Sequence, residues 1–239
     1  MGCADLDRFA DAYDESFPYA LDNRLMLNWY AARVLELARG GALLELGIGH
    51  GYTTAAFSEA FERHVVLEGS PEIIARFKAK FRAARAEIVQ TAFEDYQTNE
   101  RFDLIVMGFV LEHVADPWLV LARFRGFLKE GGRLIVTVPN AEALNKRFGH
   151  AAGLVSSLTD LSDFDRALGH HRLFTVATLT DLVRSAGYRV ERTEGIFLKP
   201  ITTAQLTQLQ LSEAILQAML KVGIDYPELC VGLLAEAEA

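Results

Sequence analysis

Cysteine is almost missing from this chain. Cys3 and Cys230 lie at opposite ends without metal-ligand spacing, which excludes a disulfide framework and a cysteine-based zinc site. No uninterrupted apolar run approaches the roughly 20 residues needed to cross a bilayer, and no basic stretch leads into an apolar one at the N-terminus. A cytoplasmic protein without a membrane partner is the expectation. Positive charge is also short: 24 Lys and Arg face 32 Asp and Glu, for a net charge of −8 with no concentrated basic block. That balance argues against a nucleic-acid backbone as the main partner. Internal repeats are absent, and low complexity is confined to the Ala/Glu tail at 235–239, which is expected to fray.

What remains is hydrophobic matter for one large core, half of the 239 residues, so a single domain is expected. The pattern divides it into an N-terminal helical lid (1–40), a ligand-binding core (41–140), a lid insertion (141–175) and C-terminal helices and strands that complete the sheet (176–239). Through residue 138, five apolar strands alternate with helices, near 43–46, 64–68, 87–91, 102–107 and 133–138. This predicts an α/β Rossmann-like fold, a parallel sheet with helices on both faces. Gly131-Gly132 are expected to stop the helix at 117–128. A helix at 176–186, a strand at 188–198, a helix at 203–221 and a final strand at 229–234 follow. The apolar stripe of the 203–221 helix suits the core or a subunit contact, which leaves a homodimer open.

The segment Leu43-Leu44-Glu45-Leu46-Gly47-Ile48-Gly49-His50-Gly51 organises the rest. An apolar strand ends in three alternating glycines and runs into a helix at Tyr52, where free amides can receive an anionic group of a nucleotide-like ligand. Glu68 ends the second strand, 21 residues beyond Gly47 and just before Gly69-Ser70-Pro71. That is where a carboxylate accepts ribose hydroxyls in nucleotide-binding βαβ units. In the aromatic-rich leader, Tyr13, Tyr19 and Arg24 are candidates to touch the ligand if the leader closes as a lid. After the fourth strand comes Leu111-Glu112-His113, at the sheet edge where ligands sit. His113 is the first candidate for a general base, because its reference pKa lies near neutrality. No metal is expected, since His150, His170 and His171 lack a matching carboxylate or cysteine pattern.

Five pieces in order, ELGIGHG, VVLEGS, FDLIVMGFVLEHVADP, LKEGGRLIVTVPN and GHHRLFT, together resemble class I S-adenosylmethionine-dependent methyltransferases of the small-molecule type, over about residues 40–198. The resemblance implies a seven-stranded sheet whose last strand inserts antiparallel, with S-adenosyl-L-methionine as cofactor. It implies that Glu45, Gly47, Gly49 and Gly51 face the methionyl part, and that Glu68, with Gly69 and Ser70, serves the ribose. The acid that commonly follows the third strand is replaced by Ala92, so Phe93 is expected to pack the adenine ring and Glu94 to offer a weaker hydrogen bond. Related enzymes also place a Glu-His pair in the loop of Glu112 and His113, and a His on the substrate side that matches His170 or His171. The acceptor implied is a small organic molecule, such as a sugar or natural-product intermediate, methylated on oxygen or nitrogen. An NAD(P)-dependent oxidoreductase and a non-catalytic nucleotide-binding protein remain as alternatives; Leu111-Glu112-His113 has no place in the first, and the retained glycines disfavour the second.

Overall fold

The computed structural model describes Asp7 and residues 19–239. Tyr13, Cys3 and the rest of the expected leader helix before residue 19 lie outside the described residues. The elements run α1 (Ala20–Leu37), β1 (Ala42–Leu46), α2 (Tyr52–Ala60), β2 (Arg63–Glu68), α3 (Pro71–Lys80), β3 (Glu87–Gln90), β4 (Phe102–Gly108), α4 (Pro117–Arg125) and β5 (Leu128–Pro139). Then come α5 (Leu144–Ala151), α6 (Asp163–Ala167), α7 (Val176–Ser185), β6 (Arg189–Ile196), α8 (Thr203–Gln208), α9 (Glu213–Gly223) and β7 (Gly232–Glu238). Helix starts follow local chemistry: Ser70 and Asp116 accept from the amides of Ile73 and Leu119, and each is followed by a proline whose fixed φ suits a first helical position.

Among the described residues, seven strands form one sheet in the order β3-β2-β1-β4-β5-β7-β6. The first five are parallel, and β7 runs antiparallel between β5 and β6. This is the doubly wound architecture the alternation predicts. Side chains alternate across β4, so that Ile105 and Met107 join the core beneath α4 and α7, while Leu104 and Val106 join the core beneath α1 and α2. Both faces are covered, which is why β4 reads as a continuous apolar run.

Three boundaries differ from expectation. Helix α4 already ends at Arg125, capped at Gly126, and β5 begins at Leu128; Gly131, at φ +70°, lies instead in an irregularity where the pairing with β4 jumps from Phe102↔Leu128 to Leu104↔Arg133. The helix expected at 203–221 is two helices, broken where Gln210 takes φ +49° and Ser212 starts α9. Leu206, Leu216 and Leu220 are buried there, whereas Leu209 and Ile215 face outward.

The Ala/Glu tail does not fray. Ala235, Glu236 and Ala237 are buried in the interior strand β7. Small alanines fit beneath covering helices, and Glu236 is paired with Arg133 and Arg192. Composition misleads here because alanine and glutamate are poor strand formers in isolation, while burial between two strands decides the outcome.

Candidate active site

The carboxyl ends of β1, β2, β4 and β5 open onto one cavity of about 360 Å³, closed on one side by α1 and on the other by the segment carrying α5 and α6. The glycine turn forms its floor. Gly47 and Gly51 both adopt φ +80°, and a Cβ on Gly51 would stand 2.6 Å from Phe77 and 2.8 Å from Phe81. Only glycine fits both conditions at that position. Helix α2 starts at Gly51 without a side-chain cap, so its first amides remain donors for an anionic group.

Glu68 ties this turn to the next strand. Its carboxylate accepts from the Ile48 amide at 3.0 Å and from the Ser70 amide at 2.8 Å, while the Gly47 amide bonds to the Leu67 carbonyl at 2.8 Å. Burial raises the Glu68 carboxyl above its ordinary value, against the three backbone amides that lower it. Three accepted bonds still leave acceptor capacity for a ligand hydroxyl.

Other expected contacts separate on inspection. Gly49, Ser70, Phe93 and Tyr19 line the cavity. Glu45 does not: it lies beneath the turn, accepting from Thr53 Oγ1 at 2.9 Å and paired with His64 Nε2 at 3.0 Å. Its part is to hold α2 against β1 and β2. Glu94 and Arg24 are exposed and lie outside the cavity lining, as does Gly69. Glu94 points away because the single 3-10 turn at Phe93–Asp95 presents Phe93 inward and its two acids outward.

On the opposite wall, Glu112, His113, His170 and His171 all line the cavity. The turn after β4 is joined to the end of the lid by the His171 amide, which donates to the Glu112 carbonyl at 2.8 Å, and by Arg172, whose guanidinium donates to the carbonyls of Leu111, Val114 and Ala115. Glu112 is fully buried and neither carboxylate oxygen has a hydrogen-bond partner. Burial pushes its carboxyl up to about 8, with Arg172 opposing. His113 stands edge-on to His170, ring centroids 4.8 Å apart. Burial, and then the charge of His170, lower the His113 imidazole to about 3 although it bonds to the Gly169 backbone. His170 Nδ1 is 3.1 Å from Asp165 Oδ1. Burial raises the Asp165 carboxyl, but the bonds from His170 and Ser162 outweigh it and hold the group well below the usual carboxylate range.

Several residues at the site carry no sequence motif. Lys199 is buried, donates to Asp22 and reaches Thr203 Oγ1 at 2.8 Å, while Asp22 Oδ1 is buried without a partner. Asn140 holds the carbonyls of Pro227, Glu228 and Cys230 through one amide group. Phe109 takes φ +56° at the cavity wall, the kind of backbone strain that collects at functional sites. The one available signal was positional: Asn140 and Lys199 each follow the end of an apolar strand.

A glycine turn, a strand-end acid bonded to it and a cavity at the carboxyl edge of a sheet with an antiparallel seventh strand define a Rossmann-like methyltransferase class. The family described as "Methyltransferase domain" matches residues 19–193, and the chain belongs to it. Among sequence relatives, a ubiquinone biosynthesis O-methyltransferase from Nitrobacter winogradskyi is 30% identical over 175 residues, 71% of this chain; the chain spans 64% of that relative's length. A protein of the same name from Xanthomonas euvesicatoria pv. vesicatoria is 24% identical over 82% of this chain and 85% of its own length. Two solved structures share the fold. The N-methyltransferase NodS from Bradyrhizobium japonicum, in complex with S-adenosyl-L-homocysteine, has a TM-score of 0.60 at 15% identity, covering 100% of this chain and 98% of that one. The Burkholderia thailandensis 1,6-didemethyltoxoflavin-N1-methyltransferase has a TM-score of 0.63 at 20% identity, covering 98% and 88%.

The protein is an S-adenosylmethionine-dependent methyltransferase, and S-adenosyl-L-methionine is its cofactor. The oxidoreductase and non-catalytic alternatives are set aside by the family. Among the described residues, no helix is long and apolar enough to cross a membrane.

Proposed function

We propose that the enzyme methylates an oxygen of a small hydroxylated organic acceptor held between α1 and the α5–α6 lid. The observation that carries this reading is the His113 imidazole, set beside the buried Glu112 carboxyl on the wall opposite the glycine turn. A nucleophile that arrives with a proton needs an acceptor for it, and an unprotonated imidazole facing the cavity supplies that function. The two ubiquinone biosynthesis relatives are named as O-methyltransferases, which supports oxygen over nitrogen.

The residues fit the cofactor. Free α2 amides suit a carboxylate, the glycine backbone permits close approach, Glu68 retains acceptor capacity for a ribose hydroxyl, and Phe93 offers a flat apolar surface for adenine. When bound, S-adenosylmethionine supplies a methyl group activated by a sulfonium. The chain's own contribution is alignment: α1 and the lid hold the acceptor toward that group and exclude water, and orientation of this kind supplies on the order of 7 to 11 kcal/mol in favourable systems. His113, whose imidazole burial keeps unprotonated, receives the acceptor's proton beside the Glu112 carboxyl. Lys199 and the unpartnered Asp22 oxygen give the α1 wall a polar anchor for the far end of the molecule.

Radiolabelled S-adenosylmethionine with a panel of phenols, polyols and matched amines tests this reading. Label transfer to hydroxylated compounds is expected; transfer confined to amines overturns the oxygen assignment.

A further inference from the structure

Three side chains on the acceptor wall meet from distant parts of the chain. Among the described residues, Glu112, His113 and His170 each place one potential metal-ligating atom so that all three lie within 4.8 Å of one another. Sequence spacing hides this trio, because the carboxylate follows β4 while His170 sits at the far end of the lid. The His171 amide and the Arg172 guanidinium join the two segments.

Two independent features point to a bound cation. Both oxygens of the fully buried Glu112 are unpartnered, and a buried polar group left without a partner is costly. Arg172 acts on it through charge alone, since its guanidinium donates to three backbone carbonyls and not to the carboxyl. His113 does not bond to it either: Nε2 approaches Glu112 Oε1 only to 4.0 Å, beyond a hydrogen bond. The second feature is that the His170 imidazole is oriented from behind. Asp165 occupies Nδ1 of His170 at 3.1 Å, leaving Nε2 as its ligating atom, and His113 bonds to the Gly169 backbone. A metal-bound histidine characteristically gives its other ring nitrogen to a carboxylate or a carbonyl.

We propose that Glu112, His113 and His170 bind a divalent first-row transition cation whose remaining positions open onto the cavity. Two nitrogens and one carboxylate suit zinc, manganese or iron better than calcium or magnesium, which prefer all-oxygen surroundings. Bonds of about 2.0–2.2 Å set neighbouring ligands roughly 3.0–3.6 Å apart, so side-chain rotation closing the cluster by about 1 Å completes the site. With a cation bound, His113 serves as a ligand and not as the base, and an acceptor hydroxyl in an open position loses its proton more readily to solvent. That role rests on the oxygen reading above; the binding itself does not.

The test uses the whole protein, stripped with a chelator and dialysed. Calorimetry with Zn²⁺, calorimetry with Mn²⁺, and the loss of the free Mn²⁺ electron paramagnetic resonance signal report uptake without any acceptor present. One equivalent of cation per chain is expected. Glu112→Gln and His170→Ala should each abolish it, and Asp165→Asn should weaken it about 10- to 100-fold. S-adenosylhomocysteine affinity and the thermal transition, measured on the same samples, show whether each variant is folded. If one variant does not fold, the other decides. Absence of stoichiometric uptake of both ions, or uptake unchanged in the folded variants, overturns the proposal. Loss of S-adenosylhomocysteine binding with cation uptake intact would count against the cofactor site instead.

Discussion

The Glu68 carboxylate receives the Ile48 amide at 3.0 Å, so the acid that ends β2 and the glycine turn form one unit and not two neighbouring motifs. Removing the carboxylate therefore takes away a ligand contact and loosens the turn together. Glu68→Ala is expected to weaken S-adenosylhomocysteine binding by at least about 1.5 kcal/mol, the lower end for a hydrogen bond to a charged group. Calorimetric titration reads this directly. Unchanged affinity removes Glu68 from the cofactor site.

Arg172 provides a contrasting case, because its guanidinium donates to the carbonyls that hold the 111–115 turn. It is a positioning residue for Glu112 and His113. Arg172→Met keeps much of the side-chain stem but deletes the donors. The expected result is a fall in kcat of about tenfold or more, since a displacement near 1 Å can cost on the order of 100-fold, with cofactor affinity nearly unchanged. A parallel loss of both would assign Arg172 to general folding stability.

Local signals and long-range ones were unequally legible in the sequence. Gly47 to Gly51, Glu68 and Leu111-Glu112-His113 announce themselves because each motif is short and sits at the end of an apolar strand. Asp22, Arg172 and Lys199 do not, since their partners are far away in the chain: Lys199 meets Asp22, and Arg172 reaches back to Leu111. Glu45 shows a further limit. Its place in the glycine motif suggested a ligand contact, yet Thr53 and His64 occupy its two oxygens below the turn. The Ala235–Ala237 tail was misread for a related reason, as its strand exists only through pairing with β5 and β6.

Gly51 tests the turn by steric means. In Gly51→Ala the new methyl would meet Phe77 at 2.6 Å, in a backbone conformation that L residues rarely adopt. The strain alone is about 1–3 kcal/mol, and the shift forced on α3 adds to it. Denaturant unfolding should show a lower midpoint, and S-adenosylhomocysteine should bind more weakly because the start of α2 is displaced. A variant as stable as the parent would mean that Phe77 and Phe81 move aside freely.

Acid sensitivity should trace in part to Asp103, which anchors the chain just before β1. Its carboxylate accepts from the Ala42 amide at 2.9 Å and the Gly41 amide at 3.2 Å, and pairs with Lys129 at 2.9 Å. Partial burial raises its pKa, but the Lys129 and backbone bonds outweigh burial and leave it below the ordinary value of 3.8. A carboxyl with a depressed folded pKa stabilises the fold above its unfolded pKa, and loses that contribution as the pH falls through the lower folded value. The partly exposed setting keeps the effect small, of the order of 1 kcal/mol or less. Chemical denaturation at a series of pH values should therefore show the parent losing stability relative to Asp103→Asn between about pH 5 and pH 2, the two curves converging at the acid end. Parallel curves across that range would show that the anchor at β1 does not depend on the charge of Asp103.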